Sequence, residues 1–214
     1  MARRLNWLLD PEGGSDQQFL SPLLRRLLME MCTDSPAQME IPEGIDLRTL
    51  DGYSRSRTTA AAIVGRATGF SLVFVHADGG ADPNRARIEH VGPIGAGAPE
   101  TMRVIPVVPT RETEAWILAD RESLRVVMNA SEGTLNQAGA PKKPAHVEQV
   151  TDPKAVLNSL ASQSSRRGQR RPIPFGRLGE CISLEALRAV ASFASLESDL
   201  MRALRSLGVL KEGA

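Results

Sequence analysis

The feature that most constrains this chain is an apolar run that stops abruptly in acids and glycines. From Phe70 to Ala77 every residue except Ser71 and His76 is apolar, and the run ends in Asp78-Gly79-Gly80-Ala81-Asp82. A strand apolar on both faces belongs in a sheet covered on both sides, as parallel sheets are. A second run, Arg103 to Val108, ends in Pro109-Thr110-Arg111-Glu112-Thr113-Glu114. A third, Leu5 to Leu9, ends in Asp10-Pro11-Glu12-Gly13-Gly14-Ser15-Asp16. Open α/β sheets place their sites outside the carboxyl ends of the strands. If the strands are parallel neighbours, all these acidic turns face one edge. Carboxylates gathered there repel one another unless a cation lies between them.

Helical periodicity occupies the segments between the strands. Phe19, Leu20, Leu23, Leu24, Leu27, Leu28 and Met31 recur at spacings of three and four, which predicts an amphipathic helix over 17–31. Ile45 to Leu50 reads as a short strand. A second helix is expected over 54–68, stopped by Gly69. The stretch 79–100 is rich in Gly and Pro and reads as loop, with a short strand near Ile88 to Val91. Pro106 places its strand at an edge or a bulge. A helix is expected to open at Pro109 or Thr110, and Asp120 to cap another over 121–128. Residues 129–150 read as a polar connector. Asp152-Pro153 has the form of a cap followed by Pro at the first helical position, leading into 155–160. After a linker over 162–174, helices are expected over 183–191 and 195–207, with Gly208 as the final stop. The predicted class is α/β, a parallel sheet flanked by helices. An α/β core spans 1–130, and linkers and helices over 131–214 pack on it as one domain.

Composition narrows the function classes. The 214 residues carry 26 basic and 25 acidic side chains, a net charge of +1, so no global field calls for nucleic acid or membrane. Local patches would have to do so. Cys32 and Cys181 show no metal-ligand spacing, which suits a reducing cytosol and argues against zinc. No stretch approaches a membrane span, so the expectation is a soluble cytoplasmic protein.

The candidate chemistry lies in the acidic turns. Glu12, Asp16, Asp78, Asp82, Glu112 and Glu114 are the candidate ligands for Mg2+ or Mn2+, since hard cations take oxygen donors. Glu12 is equally placed to act as general base. On one helix Glu112 and Glu114 would point about 200° apart, so which of them faces a metal stays open. His76 reads as a hydrogen-bonded core histidine. Lys154 either contacts a scissile phosphate or is solvated. Arg111 is a candidate partner for a buried glutamate or for nucleic acid. Arg166, Arg167, Arg170 and Arg171 could follow a phosphate backbone.

Two sets of residues also carry a resemblance. Glu12-Gly13-Gly14-Ser15-Asp16 before a Leu-rich helix resembles the opening motif of Toprim-type domains, and Leu72 to Asp82 resembles their D-x-D strand. The run from Val107 to Asp120, with Arg111-Glu112-Thr113-Glu114-Ala115-Trp116 at its centre, resembles the signature of a bacterial family, domain of unknown function 4276, grouped with Toprim-like nucleases. Asp152-Pro153-Lys154 and the helical tail with Ser192-Phe193 fit the same family. The resemblance implies a Toprim-like Rossmannoid fold and Mg2+-dependent cleavage of nucleic acid by Glu12, Asp78 and Lys154. It further implies an ABC- or SMC-like ATPase partner in anti-phage defence. The second acid of D-x-D falls on Gly80. A non-catalytic binding or regulatory subunit of an ATPase-containing complex is therefore the alternative. Self-association into a homo-oligomer stays open.

Overall fold

A computed structural model describes residues 2–49, 60–163 and 172–211. The first elements are β1 (Arg3–Arg4), β2 (Trp7–Asp10), α1 (Gly14–Met31), β3 (Met39–Glu40) and β4 (Ile45–Asp46). They are followed by α2 (Ala60–Arg66), β5 (Leu72–His76), α3 (Pro83–Ala86), α4 (Gly92–Gly97) and β6 (Arg103–Val107). The rest is helical: α5 (Thr113–Ile117), α6 (Arg121–Met128), α7 (Glu132–Gln137), α8 (Pro153–Gln163), α9 (Phe175–Cys181), α10 (Leu184–Arg188) and α11 (Ala191–Ser206). Among the described residues no helix is long and apolar enough to cross a membrane.

The main sheet is parallel throughout, in the order β4-β2-β5-β6, and β1 and β3 form a small parallel pair beside it. Side chains alternate across the main sheet, as a strand's two-residue period requires. Trp7, Leu9, Leu72, Phe74, Ile105 and Val107 join one core with α1 and the C-terminal helices. Leu8, Val73 and Val75 join a second core with α2, α3 and α4 on the other face. The C-terminal helices therefore share a core with the sheet. Trp7 meets Phe74 edge-on at 5.6 Å between ring centroids, and Trp116 meets Phe193 the same way at 5.3 Å.

The strand order fixes where a site can form. The chain leaves β2 through α1 toward β4 on one side, then returns to β5 on the other side and continues outward to β6. The connections after β2 and β5 thus diverge to opposite faces and open a crevice between the two strand ends. The turns carrying Glu12 and Asp78 lie at that crevice.

Pro106 sits on β6, an edge strand, where its missing N–H disturbs no central ladder. Gly69 and Gly208 close their helical segments with φ of 88° and 65°. Asp120 caps α6, accepting from the N–H groups of Glu122 and Ser123.

Several expectations are corrected. The first helix starts at Gly14, ahead of the apolar stripe, because Asp16 completes its N-terminal turn. The stretch 79–100 is helical in α3, in a π-helical turn over Arg87–Val91 and in α4, so Ile88 to Val91 form no strand. Short Gly- and Pro-containing helices leave too few periodic positions to read. The helix expected from Pro109 or Thr110 opens only at Thr113. The connector 129–150 holds α7 and a 3-10 turn over Pro144–Gln149, and α9 fills the stretch between the linker over 162–174 and the helix expected from 183, where no element was expected. Residues 54–59 of the second expected helix fall outside the described residues; the rest appears as α2.

Candidate metal centre at the sheet edge

Two turns are tied crosswise at the crevice. The backbone N–H of Glu12, after β2, donates to His76 Nδ1 at 3.3 Å. The N–H of Asp78, after β5, donates to Glu12 Oε2 at 3.0 Å. Asp16 stands beside them in the first turn of α1, where a helix favours negative charge. It accepts from the N–H of Gly13 at 2.8 Å and lies 3.9 Å from His76 Nδ1.

His76 is fully buried at the end of β5. A backbone N–H can only donate, so Nδ1 is the acceptor and Nε2 carries the proton. Nε2 lies 2.9 Å from Thr113 Oγ1, the hydroxyl that accepts its hydrogen bond. The imidazole is therefore neutral and spans all three turns. Thr113 was not legible as a participant, because nothing local marks a threonine that meets a histidine 37 positions earlier.

The third turn is pinned to the second. Gly79 donates to the Pro109 carbonyl at 3.0 Å, and Gly80 and Arg111 exchange N–H···O bonds of 3.1 Å. A Cβ on Gly79 would stand 2.5 Å from the Pro109 carbonyl oxygen, so only glycine allows this approach. Arg111 has φ of 71°, the left-handed region that costs a non-glycine residue energy. Beyond it Glu112 is extended and precedes the helix, so the helical separation of Glu112 and Glu114 does not apply. Both carboxylates reach one ammonium: Lys154 Nζ lies 3.6 Å from Glu112 Oε2 and 3.5 Å from Glu114 Oε1. Glu112 Oε1 also accepts from the Lys154 backbone N–H at 3.0 Å, at the start of α8.

The structure thus brings Glu12, Asp16, Asp78, Glu112, Glu114 and Lys154 into one electrostatic group. Burial pushes the Asp78 carboxyl up to about 7, helped by the charges of Glu12, Asp16, Glu114 and Glu112. Burial also raises Glu114, against the opposing pull of Lys154. Lys154 is raised above the ordinary lysine value chiefly by Glu114. Lys154 offsets one charge of the Glu112–Glu114 half, while Glu12, Asp16 and Asp78 crowd together in the other half. One donor atom from each of Glu12, His76 and Asp78 lies within 4.8 Å of the others, a group that could hold a metal ion. The His76 lone pair is engaged by the Glu12 N–H, which leaves the two carboxylates as the donors. Carboxylate oxygen donors suit a hard divalent cation.

Other predicted residues stand elsewhere. Asp82 is exposed and caps α3, accepting from the Arg85 N–H at 3.1 Å. Arg111 is half-buried at the bend. Arg166, Arg167, Arg170 and Arg171 lie outside the described residues.

The family model Domain of unknown function (DUF4276) matches residues 11–201. The chain belongs to this family. The DUF4276 match begins at the residue before Glu12 and extends into α11, so it takes in all three acidic turns and Lys154. No curated protein and no solved structure matched the chain.

Proposed function

We propose that this DUF4276 chain is a Toprim-like, Mg2+-dependent nuclease that hydrolyses phosphodiester bonds of nucleic acid. The observation that carries the reading is the convergence of carboxylates from three strand ends on Asp78, whose carboxyl is pushed up to about 7 by burial and by the neighbouring acids. Glu12 and Asp78 would hold the ion, and Mn2+ would substitute for Mg2+. Such an ion supplies Lewis acidity toward a phosphoryl oxygen and lowers the pKa of a bound water.

The chain's own groups have separable roles in this reading. Glu12 takes the proton of the attacking water, within reach of the turn that its Oε2 already braces. His76 orients Glu12 and Thr113 through its two ring nitrogens. Lys154 holds Glu112 and Glu114 in place, and its ammonium donates to the substrate phosphate. An ATPase partner and a role in anti-phage defence are the biological setting proposed for it.

The test is cleavage of labelled single- and double-stranded oligonucleotides with Mg2+. The wild-type chain cuts, and Asp78→Ala loses at least about a hundredfold in rate, the scale on which a positioned catalytic group acts. Equal cutting by the variant, or cutting that survives excess chelator, contradicts the mechanism.

One observation favours a second reading, a non-catalytic subunit of an ATPase-containing complex. Gly80 occupies the second D-x-D position with φ of 55° and offers no ligand there. An isolated chain that binds Mn2+ but never cuts, and that co-purifies with an ATPase, supports it.

A further inference from the structure

A cavity of about 590 Å3 lies beside the acidic crevice, between α3, the outer edge of β6 and the start of α11. Three of its lining residues adjoin elements of the site. Pro83 packs against Gly79, next to Asp78, coming within 3.1 Å of where a Cβ would stand. Thr110 adjoins the strained Arg111. Ser192 accepts from Trp116 Nε1 at 2.8 Å, on the helix that carries Glu114.

The lining combines three chemistries. Arg87 and Arg202 both pair with the single carboxylate of Asp199, which leaves one positive charge in excess. Asn84, Thr110 and Ser195 make no side-chain hydrogen bond among the described residues, so three polar groups face the cavity without a protein partner. Pro83, Pro106 and Val108 give apolar walls. The N-terminus of α11 is not itself the attraction, because Glu148 already accepts from the Ser192 N–H at 2.9 Å.

We propose that this cavity binds one nucleotide unit of a single strand, next to the bond to be cut. The guanidinium groups match a phosphate, the unpartnered amide and hydroxyls match a base or sugar edge, and the proline and valine surfaces match a ring face. The volume falls in the range of small-ligand sites, roughly 300–1,000 Å3. It exceeds what a lone phosphate fills. The inference rests on the nucleic-acid reading for its substrate class, but binding here requires no metal.

The experiment is calorimetric titration with thymidine 5′-monophosphate, and separately with inorganic phosphate, in EDTA. The nucleotide is expected to bind, with phosphate weaker by at least about tenfold. Arg202→Glu, an exposed change, and Ser195→Trp, which fills the cavity, should each weaken the nucleotide by about tenfold or more, while Asp78→Ala leaves it unchanged. No heat up to about 10 mM nucleotide, equal affinity for phosphate, or binding lost in Asp78→Ala and kept in Arg202→Glu would overturn the proposal. Failure of the nuclease reading shows instead as binding without cleavage.

Discussion

Asp78 is the residue on which the site's electrostatics turn. Its carboxyl is pushed up to about 7 by burial and by four neighbouring acids, whereas in the unfolded chain it titrates in the ordinary range near about 3.9. The folded state therefore holds the proton more tightly. Its contribution to stability is full below the unfolded value and is lost as pH rises through about 7. In EDTA the melting temperature should fall between pH 5 and pH 8 more steeply for the wild type than for Asp78→Asn. At pH 8 the variant should be the more stable of the two. The side chain is 46% exposed, so solvent screening reduces the size of the effect but not its sign. A variant that melts lower than the wild type at pH 8, or with the same slope, contradicts this account. At this scale the acids at strand ends were legible, because an apolar run that stops in carboxylates needs no tertiary information. Lys154 against Glu112 and Glu114 was only half legible. The left-handed backbone at Arg111 that brings both acids to it is not encoded by a glycine.

At the scale of elements, the clearest constraint is the seam between α1 and α9. Pro22 lies inside α1 and cannot donate to the Gln18 carbonyl. Along this seam α9 approaches closely through glycines. A Cβ on Gly179 would stand 2.2 Å from the Phe19 carbonyl oxygen and 2.8 Å from Pro22 Cγ. Arg26 reinforces the seam, donating to the carbonyls of Gly179 at 3.0 Å and Ile182 at 2.9 Å. Gly179→Ala should destabilise by about 1–3 kcal/mol, because overpacking against backbone outweighs the gain in helix propensity. Gly176→Ala, with 3.7 Å of clearance from the Gln18 carbonyl oxygen, should be neutral or stabilising by up to about 1 kcal/mol. Urea denaturation of both variants checks the pair, and equal effects would contradict the seam. These glycines also explain why α9 escaped the sequence. Gly176 and Gly179 sit where helix formers are expected, and only the partner helix makes them necessary. By contrast α1 and the Asp120 cap were readable, since periodicity and capping are local.

For the whole molecule, the order β4-β2-β5-β6 is what turns separate acidic turns into one site. The parallel class followed from apolar runs buried on both faces, but strand order depends on long-range pairing that no local signal encodes. Because Glu12 and Asp78 are 66 positions apart, an ion held between them would link distant parts of the folded chain. It would also raise stability by mass action. The most direct measurement is a crystal of the chain soaked in Mn2+ at millimolar concentration, read by anomalous scattering. The account predicts a peak between the carboxylates of Glu12 and Asp78, with Lys154 still paired to Glu112 and Glu114. No peak at the crevice, or manganese held by Glu112 and Glu114 in place of Lys154, would contradict it.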